Sequence, residues 1–97
     1  MLMLISYDVS TVTPEGRARL RRIAKTCLDY GQRVQNSVFE CVVDQAQWLI
    51  LRAKLLELMN KEEDSLRFYR LGGMGQRRVE HHGIKQVPDL ERDTLVM

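Results

Sequence analysis

The first seven residues of the chain, MLMLISY, form an almost unbroken apolar run. In a β-strand, successive side chains point to opposite faces of the sheet, and here both sets are largely apolar. A strand of this kind must be covered on both sides, which predicts a position in the interior of a sheet. This requirement restricts the fold, because both faces of the surrounding sheet then need a cover.

Two helices are indicated by their capping residues. Thr13 is a predicted N-cap, followed by Pro14 at the first helical position and Glu15 near the positive end of the helix dipole. Further along, Asp44 and Gln47 have the three-residue spacing of a capping box and predict a second helix start. Apolar residues recur at helical spacing after both caps, so both segments are predicted to be amphipathic helices.

Three further segments are predicted to be extended, and they span Gln32 to Gln35, Ser37 to Val43 and Ser65 to Leu71. The resulting order of elements is β-α-β-β-α-β. It predicts an α+β chain with the ferredoxin-like fold, in which one four-stranded antiparallel sheet has both helices on one face. A short additional strand is predicted around Val79 to His82.

One face of the predicted sheet is left without helices. Because the first strand is apolar on both sides, we expect a second copy of the chain to cover that face in a symmetric homodimer. The chain also ends in three apolar residues, Leu95, Val96 and Met97, which need a surface to pack on. We therefore predict a single domain over residues 1–83 and a C-terminal extension over residues 84–97 that is exchanged as a strand and packs on the partner.

The charge of the chain is nearly balanced in total but unevenly distributed. The 15 basic and 13 acidic residues give a net charge of +2, which by itself does not indicate a nucleic-acid-binding protein. However, the segment from Arg17 to Arg33 holds six of the basic residues and one acidic residue. Such a segment is usually a solvated helix face, but its separation from the acidic residues suits a polyanionic partner better. The predicted nucleic-acid contacts are Arg17, Arg19, Arg77 and Arg78.

Two cysteines and the N-terminus bear on the location of the protein. Cys27 and Cys41 occupy apolar positions and form neither a disulfide framework nor a zinc site, so we predict reduced core thiols in a cytoplasmic protein. The N-terminal apolar run is too short for a signal peptide or a membrane span. We expect no association with a membrane.

The apolar strand ends abruptly in Asp8, and a carboxylate at the end of a buried strand is costly unless it is paired. The ordinary interpretation is a turn, in which Asp8 accepts hydrogen bonds from the backbone N–H groups of DVST. The alternative is a metal ligand. Magnesium prefers oxygen ligands and retains several waters, so one or two carboxylates and a substrate phosphate can be sufficient to bind it.

Two segments of the chain resemble one known family. They are the apolar strand that ends in Tyr7-Asp8 and the mid-chain sequence QNSVFE, Gln35 to Glu40. In a chain of this length, the combination is similar to the small CRISPR-associated protein of the spacer-acquisition complex, which is the companion of the CRISPR integrase. The similarity extends from Met1 to about Arg70.

The resemblance implies a ferredoxin-like homodimer that takes part in inserting foreign DNA into the CRISPR array. It also implies a Mg²⁺-dependent endonuclease of RNA or double-stranded DNA, with the strand-end aspartate, here Asp8, as catalytic residue and metal ligand. Two Asp8 carboxylates that meet across a two-fold axis would repel each other unless a cation lies between them. Supporting roles are assigned to Tyr7, Ser10, Ser37 and Phe39, although Tyr7 and Phe39 are interpreted first as core residues.

Other functions remain open at this point. Members of the family are also regarded as a non-catalytic adaptor that bridges integrase dimers and holds duplex DNA. The same fold occurs in unrelated small proteins, including toxin-like RNA-cleaving domains. The adjacent His81 and His82 would point to opposite faces of a strand, so they cannot both bind one metal ion, but a histidine near neutral pH can serve as a base.

Overall fold

The computed structural model describes residues 1–71 and 78–84 of the chain. These residues form two helices and five strands in the predicted order, with one strand added at the end. The elements are β1 Leu2–Asp8, α1 Pro14–Leu28, β2 Gly31–Gln35, β3 Val38–Val42, α2 Gln45–Leu58, β4 Ser65–Leu71 and β5 Arg78–Gly83.

Both helices begin at the predicted caps. The Thr13 hydroxyl accepts a hydrogen bond from the backbone N–H of Gly16 at 3.1 Å, with Pro14 at the start of α1. At the start of α2, the Asp44 carboxylate accepts from the Gln47 backbone N–H at 2.7 Å, and the Gln47 side chain accepts from the Asp44 N–H at 2.9 Å. Each cap satisfies a backbone group that the first helical turn leaves unpaired, so the sequence determines both starts locally.

The strands form one antiparallel sheet in the order β2-β3-β1-β4-β5. The apolar strand β1 lies between β3 and β4, as its composition requires, and the first four strands have the ferredoxin-like order. The prediction of a four-stranded sheet was incomplete. β5 pairs with β4 from Ser65↔Gly83 to Arg70↔Arg78 and protects an edge that would otherwise expose unpaired backbone groups.

The core lies between one face of the sheet and the two helices, as predicted. It is a single cluster of buried apolar side chains from β1, β3, β4 and both helices, which includes Met3, Ile5, Phe39, Phe68, Ile23, Leu51 and Leu55. The alternate residues of β1 lie on the other face. The ferredoxin-like α+β arrangement is therefore confirmed.

The two cysteines are free thiols within this core, as predicted. Burial raises the pKa of the Cys27 thiol to about 12 and that of the Cys41 thiol to about 11. Both thiols are therefore protonated at neutral pH, because a buried thiolate would lose its hydration. Neither is suited to act as a nucleophile or as a thiolate ligand of a metal.

The opposite face of the sheet is apolar and has no second layer within the described ranges. Leu2 and Leu4 are only half-buried, and Val42 and Val79 are 75% and 44% exposed. This face is called the open face below. The prediction of a second apolar face is confirmed, and its cover by a second copy stays a prediction.

The predicted C-terminal extension lies outside the described residues except for Ile84, whose N–H donates to the Asp64 carbonyl at 2.9 Å. Gly83, directly before it, has φ of 95°, and a Cβ there would approach the same carbonyl to 2.0 Å. Only glycine therefore fits this position without a shift of the backbone.

Neither helix within the described ranges is long and apolar enough to cross a membrane.

Candidate metal and nucleic-acid site

Asp8 is the last residue of β1 and is exposed on the open face. It pairs with Ser65 of β4, whereas the pairing of β1 with β3 ends earlier, at Ser6↔Val38. Its carboxylate thus lies at the end of the sheet, where it is accessible to solvent and to a partner on the open face.

The turn interpretation of Asp8 does not describe this geometry. Among residues 1–71 and 78–84, the Asp8 side chain has no hydrogen bond or ion pair. The N–H of Ser10, which the turn would direct to Asp8, donates to the carboxylate of Asp64 instead, at 3.3 Å. Asp8 therefore presents its oxygen atoms without a partner in this part of the chain.

The open face is divided into two parts. The register places a group of polar side chains around Asp8 at one end of the face, here called the polar end, and its members are Ser6, Asp8, Ser65, Arg67 and His81. The remainder, here called the apolar part, consists mainly of apolar side chains, Leu2, Leu4, Val42, Tyr69 and Val79, and also contains Glu40 opposite Leu4. A surface of this kind suits an apolar contact on one side of a polar reaction site.

At the polar end, a hydrogen bond joins β4 to β5. Ser65, which pairs with Asp8, has its Oγ 3.1 Å from Nε2 of His81. The other histidine, His82, lies on the opposite face and has its Nε2 2.7 Å from the carboxylate of Glu80. The prediction that the two histidines cannot share a metal ion is consistent with this arrangement.

Asp64 is the residue that sequence reasoning missed. It is fully buried, and its carboxylate accepts hydrogen bonds from Arg19 Nε at 2.8 Å, from the Asn60 N–H at 2.9 Å and from the Ser10 N–H at 3.3 Å. It therefore fixes the loop that follows Asp8. The sequence offers no signal for this role, because Asp64 follows three other charged residues, KEE, in a segment that indicates only a helix end.

The predicted nucleic-acid contacts are found in different environments. Arg17 is exposed, and its Nη1 donates to the Thr11 carbonyl at 3.1 Å, next to the loop after Asp8. The Arg19 side chain is only 14% exposed, and its hydrogen bond with Asp64 raises the pKa of the guanidinium. Most of its hydrogen-bonding capacity is therefore used internally.

The remaining predicted contacts follow the end of β4. Arg78 begins β5, and Arg77 lies outside the described residues. A role in nucleic-acid binding stays a prediction for all four arginines.

Tyr7 and Phe39 lie on the helix side of the sheet, away from Asp8. Both are buried, with their rings stacked at 5.7 Å between centroids, and the Tyr7 hydroxyl donates to the Asn36 carbonyl at 3.5 Å. Burial raises the pKa of Tyr7. Their interpretation as core residues is confirmed.

Ser10 and Ser37 act through their backbone groups. The Ser10 N–H donates to Asp64, and the Ser37 carbonyl accepts the N–H of Tyr7 at 3.1 Å. Both bonds hold the chain close to the end of β1. Ser37 itself lies in the turn before β3, which begins one residue later than predicted.

Among the polar-end side chains of the described residues, Asp8 is the one carboxylate that could bind a metal ion. Within residues 1–71 and 78–84, no group of three or more histidine, cysteine, aspartate or glutamate side chains is arranged to hold a metal ion. The accessible oxygen atoms of Asp8 nevertheless suit Mg²⁺, which needs few protein ligands. A matching Asp8 from a second copy would complete such a site.

A matching family model and the names of similar proteins place the chain in a class of small CRISPR-associated nucleases. The family model described as "CRISPR associated protein Cas2" matches residues 1–79. The chain belongs to this family, so the family recognised from Tyr7-Asp8 and the QNSVFE segment is confirmed.

Named relatives and a solved structure agree with this assignment. The chain is 64% identical, over the full length of both proteins, to the CRISPR-associated endoribonuclease Cas2 of Chlorobaculum tepidum. It is 55% identical, over 99% of each chain, to the CRISPR-associated endonuclease Cas2 of Halalkalibacterium halodurans. The crystal structure of Streptococcus pyogenes Cas2 at pH 6.5 is similar, with a TM-score of 0.70 and 54% identity, and the match covers 74% of this chain and 87% of that one.

Proposed function

We propose that the chain is a homodimeric, Mg²⁺-dependent endonuclease that hydrolyses phosphodiester bonds in RNA or duplex DNA during CRISPR adaptation. The observation that carries this proposal is the exposed carboxylate of Asp8 at the polar end of the open face, which has no partner among residues 1–71 and 78–84. The names of the relatives, which differ between endoribonuclease and endonuclease, support both substrate classes.

The homodimer is supported by the apolar part of the open face. Side chains such as Val42, which is 75% exposed in a single chain, gain from burial against a second copy. A two-fold axis that passes through the polar end would bring the two Asp8 side chains together. Two Asp8 carboxylates in proximity favour a cation between them.

The chemistry is then shared between the ion and the chain. When bound, Mg²⁺ supplies Lewis acidity towards the phosphoryl group and activates water for its hydrolysis. Asp8 holds the ion, and the loop fixed by Asp64 keeps the end of β1 in place. The fixed loop reduces the reorganisation that Asp8 needs before it can bind the ion.

Nucleic-acid binding is supported by the basic side of α1. Arg17 is exposed next to the loop after Asp8, and Arg21, Arg22 and Lys25 follow along the helix. Contacts of this type reach the phosphate backbone and do not depend on base sequence. Arg77 and Arg78 are the further proposed contacts, whereas the guanidinium of Arg19 is held by Asp64 and Glu63.

We also propose that the protein binds the CRISPR integrase in the cytoplasm, which membership of the Cas2 family supports. Residues 84–97 are proposed to pack on the other protomer, because the chain ends in three apolar residues.

The test compares wild-type protein with Asp8→Asn on labelled RNA and duplex DNA, with Mg²⁺ or with EDTA. We expect Asp8→Asn to reduce cleavage to the level seen in EDTA while the dimer persists in light scattering. Glu40→Gln, which removes another carboxylate from the open face, is the matched control and should cleave normally. Undiminished cleavage by Asp8→Asn would contradict the proposal.

A non-catalytic adaptor is the second candidate, and one observation favours it. Within the described residues, no three metal-ligating side chains are grouped around Asp8, which leaves few protein ligands for an efficient nuclease. In this role the dimer holds duplex DNA and bridges integrase subunits, and Asp8 is dispensable.

A further inference from the structure

We propose that Arg67 binds the substrate phosphate next to Asp8 and is a second catalytic residue of the nuclease. This inference rests on the proposed function, and it assigns a role to a residue of β4 that neither the sequence motifs nor the basic helix indicated.

The register brings Arg67 within reach of Asp8. Asp8 pairs with Ser65, and Arg67 is two residues further along β4, so Asp8 and Arg67 are diagonal neighbours on the open face. Diagonal positions of this kind are about 7–8 Å apart, a separation that long side chains can span. Arg67 also pairs with Ser6 on one side and with His81 on the other, which places it inside the polar end.

Arg67 and Asp8 do not neutralise each other's charge. Within residues 1–71 and 78–84, Arg67 and Asp8 form no ion pair, although Arg67 is half-buried and Asp8 is exposed. By contrast, the half-buried Arg52 and Arg19 are each paired with a carboxylate. An arginine on a partly apolar face with no carboxylate partner among the described residues is suited to bind the anionic group of a ligand.

A phosphate group fits between the two side chains. A cation held by Asp8 would take waters or phosphoryl oxygens as further ligands, and a guanidinium can donate two parallel hydrogen bonds to phosphate oxygens. Arg67 would thus stabilise the negative charge that develops on the phosphoryl group, to which Asp8 contributes no hydrogen-bond donor. The hydrogen bond between Ser65 and His81 fixes the wall of the site beside it.

A structural role for Arg67 is the competing explanation. Glu40 lies on the same face, and in a dimer that joins two open faces it becomes a candidate ion-pair partner for Arg67 of the other copy. This role makes a different prediction, because loss of Arg67 would then weaken the dimer.

The experiment uses the full chain with Arg67→Gln, Arg67→Lys and the matched control Arg70→Gln. Arg70 lies on the same strand but is exposed on the opposite face. We expect Arg67→Gln to lower kcat by about 100-fold, as for loss of one hydrogen-bond donor to a developing charge. Arg67→Lys should recover part of the rate, Arg70→Gln should resemble wild type, and all three should remain dimers.

A second measurement does not depend on cleavage. In protein labelled with [¹⁵N]arginine, the Nε–Hε signal of Arg67 should shift on addition of a 5′-phosphorylated dinucleotide in Mg²⁺ buffer, while that of Arg70 should not. If Asp8→Asn cleaves normally but the Arg67 signal shifts, the proposed nuclease mechanism fails and the phosphate site stands. Wild-type kcat in Arg67→Gln, an unshifted Arg67 signal, or a monomeric Arg67→Gln would each overturn the inference.

Discussion

Arg19 Nε donates a 2.8 Å hydrogen bond to the carboxylate of Asp64, which is fully buried beside the start of β4. The pair joins the first helix to the loop before β4. The Asp64 carboxylate also accepts a hydrogen bond from the Ser10 N–H, which links the loop after Asp8 to the same pair. A side chain predicted to reach outwards to nucleic acid therefore has a structural role, and the position of the candidate site depends on it.

Replacing Asp64 with alanine should strongly destabilise the protein. The change leaves Arg19 Nε and two backbone N–H groups without their acceptor, and breaking a buried ion pair in this way costs about 3–5 kcal/mol. Urea unfolding monitored by circular dichroism measures the loss. Glu63→Gln is the matched control, because that carboxylate also contacts Arg19 but is 47% exposed, and it should cost about 1 kcal/mol or less. Similar losses in both variants would contradict a buried pair.

Glu80 should make stability depend on pH in the acidic range. Hydrogen bonds from Arg52, with Nε at 3.0 Å from Oε2, hold the pKa of Glu80 below its ordinary value. Its contribution is thus complete above the ordinary glutamate pKa of about 4.3 and is lost as the pH falls through the lower folded pKa. Since Glu80 is 39% exposed, the effect is small.

The measurement is the free energy of unfolding of wild type and Glu80→Gln between neutral and acidic pH. The difference between the two proteins should shrink as the pH falls. Glu62→Gln, an exposed substitution, serves as the control. A difference that stays constant with pH would show that the ion pair does not form.

A charge in the apolar part of the open face should dissociate the homodimer. Val42→Glu places a carboxylate where the proposed interface buries an apolar side chain, and a symmetric dimer would bury two such carboxylates. We expect a monomer in light scattering at concentrations where wild type is dimeric. Ile50→Glu, at a position that is 52% exposed on α2, is the control and should leave the dimer intact. A dimeric Val42→Glu would place the interface elsewhere.

Spacer acquisition in cells distinguishes the adaptor from the nuclease. If the protein acts as an adaptor, Asp8→Asn leaves acquisition intact, while reversal of Arg77 and Arg78 to glutamate or truncation after about Asp89 impairs it. Sequencing of the CRISPR array after growth with a plasmid counts the new spacers. Loss of acquisition in Asp8→Asn alone, with normal acquisition in the other variants, would exclude the adaptor and support catalysis.

The helix starts, the central strand and the open face followed from the sequence, since each depends on neighbouring residues. Thr13, Asp44 and Gln47 cap backbone groups within three residues, and the two apolar faces of β1 follow from the alternation of side chains in one strand. The family was likewise readable from short segments around Asp8 and QNSVFE.

Only the tertiary structure decided which charged residues meet. Arg19 and Asp64 are 45 positions apart, and the diagonal relation of Asp8 to Arg67 exists only because β1 pairs with β4 in one register. The alternation of Leu66 and Phe68 with Arg67 indicates which face of β4 is buried, but it does not specify which residue of β1 lies opposite Arg67. The register is set by packing of the whole core, and therefore so is the composition of the candidate site.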